Sequence, residues 1–171
     1  MNATVILTAL VCTMTSAQTV QDSVLRAQLL VRMTADQNVR QIHFGQKLQQ
    51  GLQPDSADVR ALTEVDSNNT AWIKGVIRHL GWPGVTLVGQ DGQEAAFLLV
   101  QHADRDTAFQ RECLQLLRRA FDAGETTGQH LALLTDRVEV AVGHAQIYGT
   151  QALIEDNRVI FHPIQDSASV D

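Results

Sequence analysis

The chain has only two cysteines, Cys12 and Cys113, among 171 residues. Cys12 falls in an N-terminal stretch that reads as a removable leader, so one thiol remains and no intramolecular disulfide can form. A domain of this kind must be held by its hydrophobic core, and 44% apolar residues are enough to build one. Basic residues are also short: 13 Lys and Arg against 19 Asp and Glu leave a formal net charge of −6. That balance argues against nucleic-acid or anionic-membrane partners, which need a basic face to displace counterions or bind head groups. No apolar run is long enough to span a bilayer as a helix. There is no internal repeat and no low-complexity segment. Gly-x-Ser-x-Gly, Walker and Gly-x-Gly-x-x-Gly words are all missing. The six histidines form no His-x-x-x-His pair, which speaks against a structural zinc site, and the expected metal and cofactor content is none.

The leader is residues 1–17. Val5, Ile6, Leu7, Ala9, Leu10 and Val11 make a short apolar region, and Thr15-Ser16-Ala17 places small residues where a signal peptidase reads them. No Lys or Arg precedes the apolar region, and Ala9-Leu10-Val11 lacks the small residues of a lipidation box before Cys12. A cleaved signal peptide with export to the periplasm or the exterior is the reading of choice. An uncleaved anchor and a plain cytoplasmic helix are its alternatives. Cleavage after Ala17 leaves 154 residues, the size of one domain, with no membrane span.

The remainder predicts a mainly α fold: about five helices in a compact domain with a small C-terminal β-hairpin. Residues 18–55 form an N-terminal helical segment with Val24, Leu25, Leu29, Leu30 and Met33 on one side. Residues 56–165 carry the helical core and hairpin, and residues 166–171 a polar tail. Within the core, Asp55 or Ser56 caps a long helix whose stripe includes Leu62, Val65, Trp72, Ile73, Val76, Ile77 and Leu80. Gly81 suits a positive-φ cap and Pro83 prevents continuation. Gly89 to Gly92 reads as a turn, followed by a short buried helix from Glu94 to Asp104. Asp106 caps a helix to Ala123, and Thr126 with Gln129 makes a capping-box pattern for one more. Residues 146–154 and 158–164 then alternate as two strands.

Short polar words interrupt these apolar stretches. They are Gly81-Trp82-Pro83, Gln101-His102-Ala103-Asp104, Leu134-Thr135-Asp136-Arg137 and Gln146-Ile147-Tyr148-Gly149-Thr150-Gln151. Together with Asp66, Asn69, Trp72 and Phe109-Gln110, their order resembles that of an uncharacterised bacterial family, a domain of unknown function, over roughly residues 60–152. The resemblance implies that the words act together. It implies no reaction. Members of that family often carry Pro where this chain has Thr107 and an aromatic residue where it has Leu133.

Polar groups on half-buried elements are costly unless paired or used. His102 is the acid–base candidate, since imidazole can both take and give a proton near neutral pH. Asp104 or Asp136 would orient it. Arg137 offers a planar fork to an anion, or forms a salt bridge with its neighbour Asp136. Gln146, Tyr148 and Thr150 share one strand face, with Gln151 next to them, and Asp66, Asn69 and Gln101 complete the candidate ligand-binding set. Each also has a structural reading: pinning a loop, capping carbonyls, or facing solvent. The only metal reading left would join His102, Asp104 and Asp136. Cys113 lies on an apolar stripe and reads as packing. Two functions follow: a pocket for a small polar or anionic molecule or a peptide, and a hydrolase or lyase using His102 as general acid/base.

Overall fold

The computed structural model describes residues 20–155 and 158–165. The expected leader, the tip of the hairpin and the polar tail lie outside the described residues. The first helix, α1 (Ser23–Arg40), is capped by the Asp22 carboxylate, which accepts from the Leu25 N–H. It runs through a π-helical stretch (Gln41–Gly45) into the short α2 (Gln46–Gln49). Next come α3 (Ser56–Leu80), α4 (Val85–Gln101), α5 (Thr107–Asp122) and α6 (Gly128–Ala141). Strands β1 (Ala152–Glu155) and β2 (Arg158–Phe161) pair antiparallel, Ala152 opposite Phe161 and Glu155 opposite Arg158. The fold is mainly α with a C-terminal hairpin. Among the described residues no helix is long and apolar enough to cross a membrane.

Local chemistry explains most boundaries. Asp55, not Ser56, caps α3: its carboxylate accepts from the Ala57 and Asp58 N–H groups, while Asp58 accepts from the Asp55 N–H. This reciprocal box satisfies three donors that a helix start otherwise leaves open. Asp106 caps α5 through the Phe109 N–H. At α6 the cap is Thr127, because Thr126 is turned inward to accept from Gln93 Nε2 at 2.7 Å. Helix α4 begins at Val85, nine residues before the expected start. The predicted turn survives inside it as a kink, with Gly89 at φ 76°, ψ 169°.

The core lies where the helices meet and includes Leu29, Ile73, Phe97, Leu99, Leu117 and Leu134, all essentially buried. Helix α4 contributes Ala95, Ala96 and Val100 to it, as expected for the most apolar element. The hairpin departs from the sequence reading. Residues 146–151 form a loop, and the strand begins at Ala152, because side chains described below hold the preceding backbone away from the ladder. Gln146 keeps only a bridge to Ile164.

Gly81 ends α3 at φ 75°, ψ −155°, donating its N–H to the Ile77 carbonyl at 2.9 Å. Only glycine enters that region without strain. A Cβ there meets no atom within 4 Å, so a substitution tests the backbone alone. Gly81→Ala is expected to destabilise the fold by about 1–3 kcal/mol through that strain. Thermal unfolding of the variant measures it, and an unchanged midpoint contradicts the cap.

Candidate polar site between the first and third helices

Helix α1 and its extension carry a row of polar groups that face α3. At the far end Lys47 pairs with Asp55 and Asp58, and His43 Nδ1 lies 2.8 Å from Asp58 Oδ1. These contacts, Lys47 first, hold the Asp58 carboxyl well below the usual carboxylate range. Further along, Asp36 occupies a core position seven residues after Leu29, and its carboxylate is fully buried. It accepts from Arg40 Nη1 at 2.8 Å and from Gln37 Nε2 at 2.8 Å. The Arg40 Nη2 group reaches Asp66 Oδ1 at 2.9 Å. Burial raises the Asp66 carboxyl above its ordinary value, although Arg40 pulls the other way.

His102 joins this cluster. It follows the last residue of α4, and its Nδ1 sits 3.1 and 3.0 Å from the two Asp36 oxygens. A carboxylate can only accept, so Nδ1 carries the proton. Nε2 has no protein partner among the described residues. The expected His102–Asp104 contact is not made, because Asp104 turns to Arg137.

One turn from Asp36, about 6 Å along the helix axis, Arg32 stands without a carboxylate. Its Nη1 donates to Asn69 Oδ1 at 3.2 Å, and its guanidinium carbon lies 4.4 Å from the Trp72 ring centroid. Partial burial lowers the Arg32 pKa from its ordinary value. Asn69 is 5% exposed, and its Nδ2 has no acceptor. The amide cannot be reversed, since that would set donor against donor at Arg32. Both residues line an open groove of about 620 Å³ between α1 and α3, with Val31, Val65 and Trp72 as apolar walls.

The other predicted residues form two arrangements that are joined where Gln151 Nε2 donates to the Thr150 hydroxyl oxygen at 3.0 Å. Arg137 Nε donates to the Gln101 carbonyl at 2.8 Å and to Asp104 Oδ1 at 2.9 Å, and Nη1 donates to Gln151 Oε1 at 2.9 Å. Gln110 Nε2 supports the same corner through the Val100 and Gln101 carbonyls. Asp136, fully buried, accepts from the backbone N–H groups of Ile147, Tyr148 and Thr150 and from the Thr150 hydroxyl, at 2.7–2.9 Å for the shortest of each. Burial raises this carboxyl, but those four donors together outweigh it and hold it below its ordinary value. Gln146 is turned inward, its Oε1 accepting from the Gln151 N–H and its Nε2 donating to the Gln151 and His162 carbonyls.

The structure therefore brings together Gln101, Asp104, Arg137 and Gln151 in one corner, and Gln151 links it to Thr150, Asp136 and Gln146. Asp66 and His102 meet through Arg40 and Asp36. Asp136 and Arg137 do not pair, since adjacent helical residues point in different directions. Tyr148 is 58% exposed, and only its backbone N–H, not its phenol, takes part in these groups. His102, Asp104 and Asp136 each have different partners, and among the described residues no three His, Cys, Asp or Glu side chains are grouped to hold a metal ion. Burial pushes the Cys113 thiol up to about 12, which fits packing and not nucleophilic chemistry.

Sequence reasoning missed Arg32, Asp36 and Arg40. The signal for Asp36 was available: a carboxylate at the next position of the Leu25, Leu29 stripe needs a partner. For Arg32 no such signal existed, since an arginine on a polar helix face is ordinary.

No curated protein and no solved structure matches the chain. Residues 23–171 do match a protein family, which covers every helix and both strands described above. The chain belongs to the Family of unknown function (DUF6624).

Proposed function

We propose that this chain is an exported domain that binds a small anionic ligand in the groove between α1 and α3. The observation that carries the reading is the pair Arg32 and Asn69: a half-buried guanidinium with no carboxylate partner beside a buried amide donor with no acceptor. Unsatisfied buried donors cost about 1–3 kcal/mol each and are rare in native folds. An anion accepting from both groups removes that cost at Asn69 and matches the charge of Arg32. Arg137, the expected clamp, is spent on Gln101, Asp104 and Gln151, so Arg32 takes the role that the sequence suggested for it.

Titrating isotope-labelled protein with small carboxylates, phosphate esters and sulfonates tests the reading by NMR. The Asn69 side-chain amide and the Trp72 indole resonances should move together for at least one class. Shifts confined to other regions, or none, contradict the site. Export rests on the apolar region and Thr15-Ser16-Ala17. N-terminal sequencing of protein from its native host should return Gln18 first, and a chain still starting at Met1 overturns it.

A second reading is favoured by His102. An imidazole oriented by a buried carboxylate through Nδ1, with Nε2 unpartnered, has the arrangement of a general base. In that reading Asp36 takes the orienting role assigned in the sequence to Asp104 or Asp136. The two readings separate on the fate of the bound molecule: recovered unchanged, or consumed in a manner that His102→Gln abolishes.

A further inference from the structure

We infer that the groove between α1 and α3 selects a monocarboxylate with an apolar body over phosphate esters and over uncharged molecules of the same shape. The inference rests on the ligand-binding reading above and names its chemical class. Three features of the groove bear on it.

The first is the shape of the cation. Of the five N–H donors of a guanidinium, Arg32 uses one on Asn69, and no other protein acceptor meets them among the described residues. One face lies on Trp72, so the exposed edge offers a planar fork. A carboxylate fits such a fork with two parallel hydrogen bonds. Asn69 Nδ2 supplies a further donor beside it.

The second is charge. Arg32 is a single cation, and the next one along the helix, Arg40, is already shared between Asp36 and Asp66. Those two carboxylates lie one turn further along α1 and α3. A phosphate monoester brings nearly two negative charges toward them and finds one cation. A carboxylate brings a single charge, which Arg32 matches.

The third is the wall. Val31 is 70% exposed and Val65 and Trp72 are partly so, giving an apolar surface that nothing among the described residues covers. A volume of about 620 Å³ is within the range of small-molecule sites, which are mostly apolar with a few placed polar groups. A bare inorganic anion would leave this surface wet. An alkyl or aryl chain attached to the carboxylate would cover it.

Calorimetric titration of the mature chain with hexanoate, hexyl phosphate and hexanol tests the class, because the three share a tail and differ in the head. Hexanoate should bind at least tenfold tighter than either of the others, and Arg32→Gln should weaken hexanoate at least tenfold. Hexyl phosphate binding as tightly as hexanoate, with the same loss in Arg32→Gln, overturns the carboxylate preference while leaving the groove as an anion site. Equal binding of hexanol overturns the role of the charge. Absence of binding by all three, or hexanoate binding that Arg32→Gln leaves unchanged, overturns both this inference and the reading beneath it.

Discussion

Asp136→Ala should lower the unfolding temperature by about 10 °C. The carboxylate is fully buried and is the common acceptor of three backbone N–H groups and one hydroxyl. Removing it takes the common partner from all four of those donors. A buried donor left without a partner costs about 1–3 kcal/mol, so losing the common acceptor of four donors costs at least about 3 kcal/mol in all. For a domain of this size each kcal/mol moves the midpoint by roughly 2–4 °C. The loop 146–151 would be released, and with it the attachment of the hairpin.

The same carboxylate gives a pH dependence with a definite sign. Its folded pKa is below the unfolded value, so its contribution is complete above about pH 4. It is lost as the pH falls through the lower folded pKa. Asp58, depressed by Lys47, the Asp55 N–H and His43, adds to the loss in the same direction. Denaturant unfolding at a series of pH values should therefore show stability falling below about pH 4, less steeply in Asp136→Asn. An Asp136 variant that unfolds at the parent temperature, with the parent pH profile, contradicts the anchoring role.

Asp36→Ala is expected to cost roughly 3 kcal/mol. Asp36 sits between Arg40, Gln37 and His102, and so ties α1 to the end of α4. Without it, Arg40 keeps only Asp66, and His102 Nδ1 loses its acceptor inside the fold. Asp36→Asn should cost less, since its amide oxygen can still accept one of these bonds. Thermal or denaturant unfolding of both variants checks the order. Equal and small losses would mean that the cluster is solvated in solution.

What the sequence revealed was mostly local. Asp106 and Gly81 could be placed because a cap needs a particular side chain or backbone freedom at one position. The start of α4 was missed because Gly89 and Gly92 read as a turn, and the kink at Gly89 keeps that local truth inside a longer helix. The hairpin was extended six residues too far. Strand-like alternation over 146–151 is overruled by Asp136, whose carboxylate captures the backbone that a strand would have paired. Most residues of the polar words have partners in the fold, but which partners was hidden in the sequence. His102 and Asp36 are 66 positions apart, and only the packing of α1 on α4 brings them together. Arg137 and Asp136, neighbours in the chain, diverge to different elements.

The division of labour we propose is the central claim: Asp36, Asp136 and Arg137 hold the fold together, while Arg32 and Asn69 are kept for a ligand. A residue kept for binding carries little of the stability of the free protein and can even reduce it. The direct measurement is the unfolding free energy of Arg32→Gln without added ligand, beside that of Asp36→Ala. Arg32→Gln should lie within about 1 kcal/mol of the parent, the scale of its contact with Trp72. A loss in Arg32→Gln as large as the roughly 3 kcal/mol expected for Asp36→Ala would make Arg32 a structural residue and contradict the claim.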